Sequence, residues 1–254
     1  MDKRICVVGA GYWGKNHIRT LNKLGVLKGV VEFNPKILYS LSKEYPNVSF
    51  YENIDLALKE DYDGFTVATP SESHYNLSKQ IISAGKHVLI EKPMALSIEE
   101  SEKLLSLANK FDVNVMVGHL LLFHPAIIKI KEMIDAGSIG DLQYLYSNRL
   151  NLGKVRTEEN VFWSLAPHDI AIFQYLTNSF PKTIQSKGST FLQEGIPDST
   201  MTIFKYENGV EGHIFVSWLH PFKEHRLVVI GTEAMISFED SIGGRPLKLY
   251  SKKI

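Results

Sequence analysis

The sequence predicts an α/β domain with a parallel sheet followed by an α+β domain, and three observations predict it. The apolar run Ile5-Cys6-Val7-Val8 leads straight into Gly9-Ala10-Gly11-Tyr12-Trp13-Gly14 and then into a helical pattern. From there to about residue 117, strand-like and helix-like segments alternate with short connections, as in a parallel sheet covered on both faces. Beyond residue 120 strand-like runs follow one another, with Glu207-Asn208-Gly209 as a hairpin signal between two of them. That second pattern is a largely antiparallel sheet. The expected division is residues 1–120 and 121–254.

Each element has a local reason. The first helix covers 12–24, with Ile18, Leu21 and Leu24 on one side, and stops at Gly25. Gly29-Val30-Val31 is the second strand and ends in Glu32. Asn34-Pro35 opens the next helix, with Asn as cap and Pro at the first helical position, and Ile37, Leu38 and Leu41 form its stripe. Phe65-Thr66-Val67-Ala68 reads as a strand, and Ser73 as the cap of a helix carrying Leu77, Ile81 and Ile82 that stops at Gly85. His87-Val88-Leu89-Ile90 is the following strand. Ser97-Ile98-Glu99-Glu100 has capping-box spacing before Leu104, Leu105 and Ala108. Val113-Asn114-Val115-Met116-Val117 closes the series. In the second half, helices are expected over 125–136 and about 168–176. Strands are expected over 142–148, 183–192, 200–206, 210–218, 226–230 and 234–238. No internal repeat or low-complexity tract interrupts the chain.

Composition narrows the function classes. The 254 residues are 44% hydrophobic and 22% charged, which fits a soluble globular protein. Twenty-eight basic and 28 acidic residues cancel and divide evenly between the two halves, so sequence-independent nucleic-acid binding is not expected. The single cysteine, Cys6, lies inside the first strand and reads as a small apolar packing residue. No secretory signal is visible, and no run approaches the roughly 18 apolar residues of a membrane span. A cytoplasmic protein is expected. The nine histidines show no zinc-type spacing, so no metal is expected.

The chemistry-bearing residues cluster after the strands. In the first turn Gly9 makes the bend, Gly11 lets backbone approach a phosphate, and Gly14 lets the helix pack on the strand; the helix N-terminus offers its N–H groups to the anion. Gly9, Gly11, Tyr12, Trp13 and Gly14 are thus candidate dinucleotide contacts. Glu32 stands roughly 20 residues further on, where a carboxylate grips the ribose hydroxyls. It would repel the extra phosphate of NADP, and no arginine follows within Phe33-Asn34-Pro35, so NAD is favoured over NADP. Thr69-Pro70-Ser71-Glu72-Ser73-His74 follows another strand at the same edge. It is either a polar loop ending in a helix cap or a lining for the cofactor through Thr69, Pro70 and His74. Glu91-Lys92-Pro93 lies at the carboxyl end of a buried strand, where open α/β sheets bind ligands. Lys92 is either a surface lysine or a group that exchanges a proton with a substrate hydroxyl, and the proline can be cis. Glu91 beside it is a candidate cofactor contact. His168-Asp169 opens a helix, as a hydrogen-bonded helix start or as a pair that orients a hydroxyl. The polar stretch 148–160 lacks clean periodicity. It is a solvated loop, or one whose Arg149, Lys154 and Arg156 hold a phosphate or carboxylate.

Taken together, Gly9 to Gly14 with His17 behind, Glu32, Ala68-Thr69-Pro70 with His74, Glu91-Lys92-Pro93 and the His168 helix resemble the Gfo/Idh/MocA oxidoreductase family over nearly the whole chain. The resemblance implies a nucleotide-binding domain followed by an open-faced sheet domain, and oxidation of a sugar or polyol hydroxyl by hydride transfer to a nicotinamide. It implies Lys92 as acid/base and His168 as its partner, and homodimers or homotetramers built through that sheet. Phe123-His124-Pro125-Ala126-Ile127, the stretch 148–160 and the stretch 163–170 are similar to the branch that oxidises C3 of UDP-N-acetylglucosamine or its uronic acid. For such a substrate Arg149, Arg156 and Asp169 are the candidate contacts. Three departures stand out. Ser164 and Ala171 occupy positions where the family often has aspartate, and the chain stops at Ile254, short of the usual family length, as a fragment or one module of a larger protein would.

Overall fold

The computed structural model describes residues 3–153, 155, 157, 159–241, 243–244 and 246–252. The chain divides into two compact units, Met1–Gly118 and His119–Ile254.

The first unit alternates strand and helix: β1 (Ile5–Val8), α1 (Tyr12–Lys23), β2 (Leu27–Val31), α2 (Pro35–Glu44), β3 (Ser49–Tyr51), α3 (Ile54–Ala57), β4 (Gly64–Val67), α4 (His74–Ser83), β5 (His87–Ile90), α5 (Ile98–Phe111) and β6 (Val115–Val117). All pairings are parallel, in the order β3-β2-β1-β4-β5-β6. The order reverses between β1 and β4, and ligands of such sheets bind beyond the carboxyl ends at that switch point. Side chains alternate across each strand. Cys6 and Val8 therefore join Phe65, Val67, Ile81, Ile82 and Leu104 on one face, while Val7 joins Ile18, Val30 and Leu41 on the other. This is why the strands read as unbroken apolar runs. Burial holds the Cys6 thiol far above the ordinary range, so it packs as a neutral apolar group.

Local signals act as the sequence predicts at several ends. The Asn34 side chain accepts from Lys36 N–H at 3.0 Å with Pro35 at the first helical position. Ser97 Oγ accepts from Glu100 N–H at 3.2 Å, but the Glu100 carboxylate reaches back one residue further than a capping box, to Leu96 N–H. Ser73 is a correction: it ends a short 3-10 turn, and its hydroxyl donates to Pro70 C=O at 2.7 Å instead of capping α4.

The second unit holds α6 (Pro125–Asp135), β7 (Leu142–Leu152), α7 (Val161–Leu165), α8 (Pro167–Thr177), β8 (Pro181–Ser189), β9 (Ser199–Tyr206), β10 (Glu211–Ser217), β11 (Leu219–Gly231), β12 (Ala234–Glu239) and β13 (Leu247–Ser251). The sheet order is β13-β12-β11-β7-β10-β9-β8, antiparallel except for the parallel pair β7–β10. One face packs against the helices. Ile127, Ile130, Phe173 and Leu176 from the helices meet Leu145, Phe204, Ile214, Val216 and Ile236 from the strands. Along β9, Thr200, Thr202, Phe204 and Tyr206 are buried while Met201, Ile203 and Lys205 are exposed, the period of a half-covered sheet. Strand β7 runs to Leu152, so the first part of the expected polar loop is strand. Its buried face continues from Leu145 through Ser147 to Arg149, and two polar residues on that face conceal the alternation.

Candidate active site

The glycine turn has the geometry of an anion cradle. Gly9 has φ +91°, and a Cβ there would lie 2.7 Å from Thr69 Cγ2 and 2.9 Å from Ala68 O. A Cβ on Gly14 would lie 2.0 Å from Gly9 O, so α1 sits directly on the turn. Gly11 differs: nothing lies within 4 Å of its Cβ position. Its open side is therefore not explained by packing within the protein. Gly11 is also the N-cap of α1, offers no side-chain cap bond, and is followed by no acidic residue in the first turn. The first N–H groups of a 12-residue helix are thus left to an anion. These residues fit the pyrophosphate of a dinucleotide. Tyr12 and Trp13 are exposed on the first turn of α1 and meet edge to face at 5.9 Å.

Glu32, just past β2, is 5% exposed. Its Oε2 accepts from Ala10 N–H at 2.8 Å and its Oε1 from Asn34 N–H at 2.9 Å. The carboxylate therefore shapes the glycine turn. An ionised carboxylate has about four acceptor positions, so two remain for hydroxyls.

The loops after β4 and β5 carry the other residues of this unit. Glu91 is buried, and His17 Nε2 donates to its Oε1 at 2.7 Å. Burial alone would raise the Glu91 pKa; the hydrogen bond and charge of His17, with Lys92 N–H and charge, outweigh it and hold the group below its ordinary value. Gly118 makes room for it, since a Cβ there would come within 3.2 Å of the carboxylate. Glu91 thus ties the end of β5 to α1, a role the sequence did not assign to His17 or Gly118. Lys92 is partly buried at the carboxyl edge of the sheet, and its bond to Pro93 is cis. His74 is a correction to the expected cofactor contact. It is 1% exposed, with Nε2 at 2.9 Å from Thr69 O and Nδ1 at 2.7 Å from Pro93 O, so neither ring nitrogen is left for a ligand. Thr69 and Ser73 share a hydroxyl hydrogen bond at 2.6 Å, and Pro70 is exposed beside them.

In the second unit His168 is partly buried in the first turn of α8. Asp169 is 2% exposed and accepts from Ser147 Oγ at 2.6 Å and from Arg149 Nε and Nη2 at 2.8 and 3.0 Å. Burial alone would lower the Arg149 pKa; the charge and hydrogen bonds of Asp169, with the charge of Asp240, outweigh it and hold it above its ordinary value. Arg149 and Asp169 are therefore bonded to each other, which corrects the expectation that both face a substrate. Their pairing pins the first turn of α8, where His168 sits, onto β7. Ser164 is buried in α7, and Ala171 lies on α8. Arg156, the other expected anion contact, lies outside the described residues, as does Lys154. An apolar cavity of about 540 Å³ lies between α8, β8 and β9, lined among others by Phe173, Phe180, Ile184 and Phe204; it contains none of the expected site residues. Among the described residues no group of three or more His, Cys, Asp or Glu is placed to hold a metal ion, and no helix is long and apolar enough to cross a membrane.

Known proteins resemble the chain in both units. Residues 3–119 match the family model of the oxidoreductase family with an NAD-binding Rossmann fold, and residues 127–237 match the GFO/IDH/MocA C-terminal domain. The uncharacterized oxidoreductase YrbE of Bacillus subtilis (strain 168) is 26% identical over 259 residues, covering 95% of this chain and 75% of the relative. The UDP-N-acetylglucosamine 3-dehydrogenase of Acidithiobacillus ferrooxidans is 28% identical over 186 residues, 73% of this chain and 58% of the relative. A crystal structure of that enzyme superposes with a TM-score of 0.88 at 25% identity, covering 98% of this chain and 80% of the other. The WlbA dehydrogenase of Bordetella pertussis, in complex with NADH and UDP-GlcNAcA, has the same fold, with a TM-score of 0.88 at 19% identity over 100% of this chain and 84% of the other. Two consecutive family domains, on a six-stranded Rossmann sheet and a mostly antiparallel second sheet, place the chain in the Gfo/Idh/MocA oxidoreductase family.

Proposed function

We propose that the chain is an NAD-dependent dehydrogenase that oxidises a sugar hydroxyl, at C3 of a UDP-N-acetylhexosamine or of its uronic acid. The observation that carries the reading lies in the first unit. An uncapped helix N-terminus with an open glycine and a partly buried lysine stand at the carboxyl edge of one parallel sheet. NAD would be held by the N–H groups at Gly11 and the start of α1, with its adenosine ribose at Glu32, and it supplies the hydride acceptor. Lys92 takes the proton of the substrate hydroxyl as the carbon becomes a carbonyl. The family resemblance gives His168 the part of partner in that proton transfer, and within its own unit His168 stands on a helix start fixed by Asp169, Arg149 and Ser147. The substrate class rests on the similarity to the UDP-N-acetylglucosamine 3-dehydrogenase. Homodimers or homotetramers belong to the same proposal, through the exposed sheet face that carries Met201 and Ile203.

A second reading, an NAD-sensing or partner-binding protein on the same scaffold, is favoured by Ser164 and Ala171, which place no carboxylate beside His168 at those positions. Nicotinamide absorbance with UDP-sugars, free sugars and inositols separates the two. NADH formation from a UDP-N-acetylhexosamine or its uronic acid supports the proposal. Tight NAD binding with no turnover of any of them supports the sensor. Turnover of free sugars or inositols without inhibition by UDP moves the enzyme to an unphosphorylated substrate, and NADP used as well as NAD removes the role given to Glu32.

A further inference from the structure

The register of β4 and β5 runs to the Val67–Ile90 pair, and a further backbone bond runs from Glu91 N–H to Val67 C=O at 2.9 Å. Two residues further on, the loops present Thr69 C=O and Pro93 C=O, and two carbonyl oxygens cannot hydrogen-bond each other. The His74 ring lies between them, with Nε2 at 2.9 Å from Thr69 O and Nδ1 at 2.7 Å from Pro93 O. The ring thus puts one nitrogen within hydrogen-bond distance of each carbonyl, where an imidazole N–H can donate. His74 itself is anchored as the first residue of α4, after a turn knitted by the Thr69–Ser73 and Ser73–Pro70 hydrogen bonds.

We infer that His74 is a positioning residue for Lys92: its ring is a crossbar that extends the β4–β5 pairing past the end of the sheet and holds the Lys92-Pro93 turn in register with the Thr69 loop. The inference rests on the reading that Lys92 handles the hydroxyl proton. His74 touches neither cofactor nor substrate in this role. Its loss acts through the placement of the lysine, and a misplacement of about 1 Å at a reacting group can lower a rate about 100-fold.

The test uses the whole chain with His74→Phe, which keeps a ring and removes both ring nitrogens, and His74→Gln, which keeps an N–H₂ group. Amide hydrogen exchange is read in peptides covering 68–73 and 91–96, and kcat, KM and the NAD Kd are measured beside it. The expected result is faster exchange in those two segments with the rest of the first unit unchanged. With it come a fall in kcat of about 10- to 100-fold, an NAD Kd within about threefold of the parent, and partial recovery in His74→Gln. Unchanged exchange in both segments, or exchange raised uniformly across the first unit, overturns the inference. If His74→Phe does not fold, His74→Gln decides by the same exchange measurement. If the parent turns over no sugar, the reading of Lys92 fails, and the exchange result still decides whether the crossbar exists.

Discussion

Gly11→Ala and Gly14→Ala, three positions apart in one turn, should fail in different ways. A Cβ at position 14 meets Gly9 O at 2.0 Å and Gly9 C at 2.8 Å. Ordinary contact begins near 3.4 Å, so α1 or the turn has to move by more than an ångström in a close-packed region. Overpacking of this kind costs about 1–3 kcal/mol. The shift also displaces the helix N-terminus, so NAD affinity falls with stability. At position 11 the added methyl meets nothing, and its φ of −68° suits any residue. The cost to folding is then only the poorer N-cap, about 1 kcal/mol or less. The methyl does occupy the side from which a phosphate would approach. Each hydrogen bond to a charged partner is about 1.5–3 kcal/mol, so losing one weakens NAD by about 10- to 150-fold. Urea unfolding gives the stability of each variant, and isothermal titration gives the NAD Kd. A Gly11→Ala protein that binds NAD as tightly as the parent refutes the phosphate assignment. A Gly14→Ala protein with parental stability refutes the packing argument.

The buried pair in the second unit should show the asymmetry of desolvated charges. Arg149→Met or Asp169→Leu alone leaves its partner uncompensated and costs about 3–5 kcal/mol, while the double substitution costs less than either; a denaturant-based double-mutant cycle checks this, and additive costs would contradict it. Glu91 should shape the acid side of the stability curve. Its folded pKa lies below its ordinary value, so its contribution is fully present above about pH 4.3 and is lost as the pH falls through the folded pKa. Glu91→Gln therefore flattens the dependence of unfolding free energy on pH in that window, and an unchanged slope would remove the His17–Glu91 pair from the account.

Much of the first unit was legible because its signals are local. Asn34 and Pro35 mark a helix start by their own chemistry, and Ile5-Cys6-Val7-Val8 is apolar on both faces because helices cover both. What escaped depended on distant partners. Arg149 looks like a loop cation until Asp169, on another element, turns out to hold it, and with Ser147 it disguises the end of β7 as a polar loop. His74 reads as a ligand contact because its two carbonyl partners are backbone, to which sequence patterns are blind. His17 and Gly118 gain meaning only when β5 places Glu91 between them. The parallel pairing of β7 with β10 also came from topology: β7 pairs on its other edge with β11, which follows β10 immediately in the chain and runs opposite to it. Gly9, Gly11, Gly14, Glu32 and Lys92 stand out in the sequence as candidates because backbone freedom or place at a strand end singles them out, and their roles toward cofactor and substrate belong to the proposed function.

Lys92→Ala in the full chain tests the account most directly, with turnover of a UDP-N-acetylhexosamine and NAD affinity measured on the same preparation. In the proposed mechanism the lysine handles the substrate proton and the glycine turn holds the cofactor, so kcat should fall by at least about 100-fold while NAD binds within about threefold of the parent. Turnover at the parental rate without that amine would contradict it.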